Sequence, residues 1–272
     1  MLTHNRPGYS ELALSRLVET LPDDARVTVW DNGSTGEMIS ILKKFERHPR
    51  IERIVYNRTN EKLRVPTNWF WQSIGEAEYV SKVDDDGMMP DNWTQILEQA
   101  HRDIPQAGVL GTWRFPDEDF APELAKKKIQ QFGDHQLLRN CWVEGSGYLM
   151  KRQVIEKIGL IRDRESFTTY CVRAAAAGFI NGWYFPFLYQ EHMDDPRAPH
   201  TEMKTEADFR RLQPLSASTF KVDSIDDWTN KLRQIAKSLQ SCSYDPDDYL
   251  GRKVWVKQKM CRLLRKPYSP KA

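Results

Sequence analysis

Short apolar runs alternate with amphipathic helical stretches from the start of the chain to Thr112, and this alternation constrains the fold more than any other feature. Leu14, Leu17, Val18 and Leu21 recur at the spacing of one helix face over residues 10–21. Val27 to Trp30 reads as a buried strand ending at Asp31. Ser34 and Glu37 form a capping-box pair for a helix that turns Met38, Ile41, Leu42 and Phe45 inward. Ile51 to Val55 is the next strand, and Pro66 opens a helix running to Glu76. Tyr79 to Val83 is a strand that runs into three aspartates. Pro90 and Asp91 open a helix with Trp93, Ile96, Leu97 and Ala100 inward, and Ala107 to Thr112 is a further strand. Such alternation predicts an α/β, Rossmann-like, mostly parallel sheet flanked by helices. Met1 to Thr3 leaves room for only a very short first strand. Either the natural chain starts several residues earlier, or this strand is abnormally short, or the sheet begins with the next one.

The second half is less regular. Residues 117–135 are polar and read as a loop with a short helix. Trp142 to Met150 reads as a strand kinked at Gly145-Ser146-Gly147. Helices follow over Gln153 to Ile158 and Thr168 to Ala177, closed by Gly159 and Gly178, and then a strand over Trp183 to Tyr189. Ser224 caps a helix whose one face carries Ile225, Trp228, Leu232, Ile235 and Leu239. A last, basic helix covers Arg252 to Leu264, with Val256, Met260, Leu263 and Leu264 on one face. The expected organisation is a domain over 1–200, in halves 1–113 and 114–200, followed by a helical C-terminal extension over 201–272.

The net charge of +2 conceals an asymmetry, because eight Lys or Arg and no acidic residue follow Gly251. The rest of the chain carries a net charge of −6. A basic tail on an acidic body suggests an anionic partner at that end. Two readings of the tail stand, packing on the body and peripheral contact with an anionic membrane; nucleic acid has no supporting motif. Cys141, Cys171, Cys242 and Cys261 form no C-x-x-C pair, so neither a zinc site nor a disulfide framework follows, and a reducing cytoplasmic compartment is the simpler reading. No run of 18 apolar residues marks a membrane span.

Asp84-Asp85-Asp86 ends a strand. Three adjacent carboxylates repel one another, and a fold tolerates them mainly where something positive sits. Alternate residues of an extended chain point the same way, so Asp84 and Asp86 can share a face and offer oxygen ligands to Mg²⁺ or Mn²⁺. Strand ends are also where open α/β sheets bind ligands.

Four ordered motifs, Thr3-His4-Asn5-Arg6-Pro7, Val29-Trp30-Asp31-Asn32-Gly33-Ser34, Lys82-Val83-Asp84-Asp85-Asp86 and Gly145-Ser146-Gly147-Tyr148-Leu149-Met150, resemble those of family 2 glycosyltransferases with the GT-A fold. The resemblance spans residues 1–195. It implies transfer of a sugar, as in polysaccharide biosynthesis, from a nucleoside-diphosphate donor, with a UDP-sugar favoured, to a glycan, lipid-linked or protein acceptor. The cysteine usage and the basic tail together lead to the expectation of a cytoplasmic enzyme, with a place at the inner membrane surface left open. The resemblance places Thr3, Asn5 and Arg6 against the nucleotide and Asp31 against the base. Arg58 and Lys62 fall beside nucleoside or phosphates, Asp84 beside the ribose and metal, and Asp85 among the donor-nucleotide residues. Asp86, Asp84 and His192 are the implied metal ligands, with Asp194 and His200 as weaker alternatives.

An inverting transferase also needs a carboxylate near the acceptor hydroxyl. The resemblance places an acidic pair ahead of the helix containing Arg173, and that pair is missing at its usual offset. Glu165 is nearest, Asp163 next, and Glu144 a further candidate. Trp69, Trp71, Trp113, Trp142 and Tyr148 are candidate sugar-stacking residues, and Asn68 reads as a helix-surface residue. Two other functions stay open: a nucleotidyltransferase, for which the Gly-rich phosphate loop is missing, and a transferase-like binding protein without turnover.

Overall fold

The computed structural model describes residues 1–263, 268 and 270; in the last helix it describes the side chains of residues 254, 256, 259–261 and 263. The strands are β1 (Leu2–Thr3), β2 (Val27–Asp31), β3 (Ile51–Tyr56), β4 (Tyr79–Lys82), β5 (Gly87–Met88), β6 (Ala107–Gly111), β7 (Ile129–Phe132), β8 (His135–Asn140), β9 (Tyr148–Lys151), β10 (Ile180–Phe185) and β11 (Glu191–His192). The helices are α1 (Pro7–Thr20), α2 (Gly36–Phe45), α3 (Arg64–Gln72), α4 (Trp93–Asp103), α5 (Pro122–Ala125), α6 (Arg152–Ile158), α7 (Phe167–Ala176), α8 (Glu206–Leu212), α9 (Leu215–Phe220), α10 (Ile225–Ser241) and α11 (Arg252–Leu263).

The sheet runs in the order β3-β2-β1, then β4-β9-β6-β10-β8-β7. The two parts are joined where Leu2 N–H donates to the Val83 carbonyl at 3.4 Å and Leu2 bridges Asp84. The pairings make β1, β2, β3, β4, β6, β7 and β10 run one way, against β8 and β9, so the sheet is mostly parallel. A separate two-stranded ladder pairs β11 with β5. The first strand is internal and two residues long.

Alternation along the strands divides the core between two faces. Val109 and Met150 join one cluster, with Trp71, Tyr148 and Trp183. Leu110 and Leu149 join the other, with Leu14, Val29, Leu42, Trp93 and Leu97. The first cluster also holds Trp228, Leu232, Ala236 and Leu239 of α10, so the C-terminal extension shares the core of the domain it follows.

Several local expectations are corrected. Helix α2 starts at Gly36 behind Thr35, and Ser34 is not its cap; the Ser34 hydroxyl instead accepts the Asn5 N–H at 2.9 Å. Helix α3 stops at Gln72, short of Glu76. Residues 129–140 form a β-hairpin rather than a loop, turning at Gly133 and Asp134. The strand expected from Trp142 begins only at Tyr148, and the one expected to reach Tyr189 ends before Pro186, which has no N–H for the ladder. Helices α6, α7 and α10 lie where the periodicity placed them, and the Ser224 hydroxyl caps α10 by accepting the Asp227 N–H. Leu264, the end of the expected last helix, lies outside the described residues.

Candidate active site

The site lies where β1, β2 and β4 end. The loop after β1 and the loop after β2 are interlocked. Thr3 Oγ1 donates to Asp31 Oδ1 at 3.4 Å, and Ser34 N–H donates to Asp31 Oδ2 at 3.0 Å. Asn5 adopts φ 49°, and its Oδ1 accepts the Thr35 N–H at 2.9 Å. Gly33 has φ 77°, and a Cβ there would lie 3.0 Å from the Thr59 backbone, so the close approach of the loop after β2 to the loop after β3 needs glycine. Asp31 is fully buried beneath this junction. Asn32 Nδ2 donates to the Lys62 carbonyl at 2.9 Å, which brings the 59–62 turn alongside and leaves the Lys62 side chain exposed. Arg58, just before this turn, is exposed.

The three aspartates part ways at the end of β4. Asp85 turns inward, accepting the His4 N–H at 3.1 Å and the Ser10 hydroxyl at 3.4 Å. Burial pushes its carboxyl up to about 7, with Arg6 pulling the other way. Asp85 therefore anchors the loop after β1. Asp84 forms an ion pair with Lys82, and its N–H donates to Ser146 Oγ at 2.9 Å. Asp86 faces β11. Its carboxylate, His192 and Asp194 bring their ligand atoms within 4.8 Å of one another. Asp194 therefore joins Asp86 and His192, and Asp84 lies outside this trio. His200 pairs with Glu191 at 2.9 Å, away from the three.

Two arginines press on the trio. Arg6 Nη2 lies 2.5 Å from Asp194 Oδ1 and its Nη1 3.2 Å from Asp86 Oδ2. Arg114 Nη1 lies 3.1 Å from His192 Nε2. An arginine can only donate, so His192 Nε2 is the accepting nitrogen of a neutral ring. Burial, and next the Arg114 charge, push the His192 pKa down to about 4. Burial lifts the Asp194 carboxyl well above its usual range, and the nearby Asp86 charge adds to this. Burial opposes the charged form of Asp86 as well, but the His192, Arg6 and Arg114 side chains and a hydrogen bond from Asp194 hold it below the usual range. A neutral imidazole and two carboxyls, already gathered around a guanidinium, fit a divalent ion such as Mn²⁺ or Mg²⁺.

Arg114 carries the site one step further. It approaches Glu144 at 3.8 Å, and Glu144 Oε2 accepts the Trp183 indole N–H at 2.9 Å. Burial raises the Glu144 carboxyl above the ordinary range, partly offset by Arg114. The sequence reading passed over Arg114; its only signal was a cation three residues past the end of β6. The segment bearing Glu144 is fixed by Gly147, which has φ 69° and lies where a Cβ would collide with Gln190 and Thr112.

The other acid candidates are differently placed. Glu165 takes two hydrogen bonds from Arg173, at 3.0 and 2.9 Å, and the Arg162 N–H at 2.8 Å. Burial would raise it, but these donors outweigh that and hold it below the usual range. Asp163 is exposed and pairs with Arg64 at 3.0 Å. Asn68 exchanges two hydrogen bonds with the Ile161 backbone, a structural link between α3 and the chain after α6. Trp71, Trp113 and Tyr148 are core residues, while Trp69 and Trp142 are half-buried against Trp30 and Tyr249.

The loop that supplies His192 and Asp194 is tied to the C-terminal helices. Trp228 Nε1 of α10 donates to the Asp194 carbonyl at 2.7 Å. Arg197 bridges Asp195 and Asp119 through its Nη2, at 2.7 and 2.8 Å.

No protein-family model and no curated protein matches the sequence. Solved structures do match. A mannosyltransferase, PcManGT from Pyrobaculum calidifontis, in complex with GDP-Man and Mn²⁺, superposes with a TM-score of 0.59 at 17% identity, over 98% of this chain and 80% of that one. GalNAc-T7 with UDP, GalNAc and Mn²⁺ gives 0.57 at 12% identity, over 95% of this chain and 56% of that one. S. aureus TarS 1-349 in complex with UDP gives 0.53 at 14% identity, over 95% and 90%. The architecture of this chain is the GT-A fold that these structures share.

Proposed function

We propose that this protein is a divalent-metal-dependent glycosyltransferase of family 2. It moves a sugar from a nucleoside-diphosphate donor, a UDP-sugar, to an acceptor hydroxyl with inversion at the sugar C1. The observation that carries the reading is the gathering of Asp86, His192 and Asp194 at the strand ends of a GT-A fold. The structural neighbours solved with UDP or GDP-Man support a nucleotide-sugar donor.

A divalent ion held by Asp86, His192 and Asp194 would supply positive charge against the donor diphosphate. Arg6 adds a fixed cation at the same place, and Lys62 and Arg58 border the nucleoside side. Asn5 borders the base, and Thr3 and Asp31, buried beneath it, hold together the two loops that receive the base. Glu144 takes the proton of the acceptor hydroxyl as its oxygen bonds to C1 and the diphosphate oxygen leaves. A carboxyl raised by burial is suited to that transfer near neutral pH. Glu165, the sequence-based candidate, is engaged by Arg173 and supports α7 instead.

Calorimetric titration of UDP, with and without Mn²⁺, tests the donor site. Metal-dependent binding that disappears in Asp86→Ala is the expected result, and equal UDP binding by both proteins overturns the assignment. Glu144→Gln is expected to keep UDP binding and lose transfer from a UDP-sugar. A second reading, nucleotide binding without turnover, draws on the Glu165–Arg173 pair, which occupies the acid nearest the family's usual base position. It predicts binding with neither transfer nor donor hydrolysis in the unaltered protein.

A further inference from the structure

Helix α11 has two apolar sides. Val254 is buried and Cys261, seven residues on, is half-buried, so this side seats the helix on the body. Val256, Met260 and Leu263 stand at i, i+4 and i+7, which places them on one face, roughly opposite Val254 at 100° per residue. These three are 43%, 57% and 76% exposed. The body therefore takes one side of the helix and leaves the longer apolar stripe outward.

Charge says what covers that stripe. Eight Lys or Arg and no acid follow Gly251, and Lys259, exposed, borders the stripe. A second copy docking stripe to stripe would bring two such basic tails together, which like-charge repulsion opposes. An anionic lipid surface satisfies both features, accepting apolar side chains at the acyl boundary and basic ones among the headgroups. Among the described residues no helix is long and apolar enough to cross a membrane, so the contact is a peripheral one.

We propose that α11 docks the protein on an anionic bilayer, with Val256, Met260 and Leu263 inserted at the headgroup–acyl boundary. The proposal stands apart from the transferase reading, since it needs neither donor nor metal.

Co-sedimentation of the full chain with vesicles tests it, using phosphatidylcholine alone or mixed equally with phosphatidylglycerol. Binding to the mixed vesicles is expected to be about tenfold tighter or more, and to weaken as salt is raised. The double variant Met260→Ser and Leu263→Ser leaves the charge unchanged and alters only exposed positions. It is expected to lose about tenfold in affinity for the same vesicles, with its circular dichroism unchanged. Equal binding to both lipids, or no binding, overturns the proposal. So does a double variant that binds as the unaltered protein does, because the tail would then act by charge alone. A dimer in light scattering that the double variant converts to monomer assigns the stripe to a second copy and also overturns it.

Discussion

Arg6 donates to the Asp194 carboxyl at 2.5 Å, so a fixed cation already holds a group that a metal ion would take. A metal ion bound there would compete with Arg6 for Asp86 and Asp194. Arg6→Ala is expected to tighten Mn²⁺ binding in the absence of nucleotide by about tenfold, the equivalent of about 1.4 kcal/mol. The same change is expected to weaken UDP binding, because a partner of the diphosphate is gone. Calorimetry with Mn²⁺ alone and then with UDP separates the two effects. Unchanged Mn²⁺ affinity would sink the idea of competition.

Metal affinity should climb with pH. A metal takes carboxylate and neutral imidazole, and His192, with its pKa near 4, is neutral across the ordinary range. Asp194 is different, because burial and Asp86 raise its carboxyl, so binding a metal there expels a proton. Below that raised value the apparent affinity for Mn²⁺ should fall about tenfold per pH unit, and above it level off. Calorimetry in buffers of differing ionisation enthalpy reads the released proton directly. A pH-independent affinity with no proton release contradicts the assignment of Asp194.

Glu165 is read here as a structural anion, and its loss should appear in stability. Removing one partner of a buried ion pair leaves the other charge uncompensated, so Glu165→Ala is expected to cost about 3 kcal/mol in urea unfolding. The folded pKa lies below the unfolded one. The pair's contribution is therefore fully present above the ordinary glutamate value of 4.5 and is lost as pH falls through the lower folded value. Full stability with abolished transfer in Glu165→Ala would restore it as a catalytic candidate.

Gly147 tests the scaffold beneath the site. With φ 69° and Gln190 and Thr112 where a Cβ would sit, Gly147→Ala is expected to cost about 2–3 kcal/mol. Chemical denaturation measures it, and a change under about 0.5 kcal/mol, the range of a neutral surface substitution, would show that the close approach is dispensable.

The first half of the chain was legible because β2 and β6 are almost wholly buried and each helix has one apolar face. Val29 and Val109 are fully buried, and Leu14, Leu42 and Leu97 are the inward residues of their helices. The β7–β8 hairpin was not, since β7 is an edge strand with no fully buried residue, and Gln130, Gln131 and Gln136 break the apolar alternation. Its one signal was the two-residue Gly133-Asp134 turn. At the site, Asp86 and His192 were visible from their motif positions. Asp194 was ranked lower because spacing alone does not show that β11 pairs with β5 and swings the loop after it toward Asp86. The separate fates of Asp85 and Asp86 depend on Ser10 and His192, partners that no local pattern reveals, whereas Lys82 pairs with Asp84 across one residue.

Trp228 lies 34 residues beyond Asp194, yet its indole holds the carbonyl of that residue. Helix α10 and the 192–198 loop are therefore mechanically linked. A substitution that shifts the helix by a fraction of a turn reaches Asp194 through this bond, so substitutions in the two segments are expected to be energetically coupled. Chimeras joined near residue 200 would sever that link and inherit a mismatched site, whereas exchanging residues 190–241 as a block would transplant the loop with the brace that tunes it.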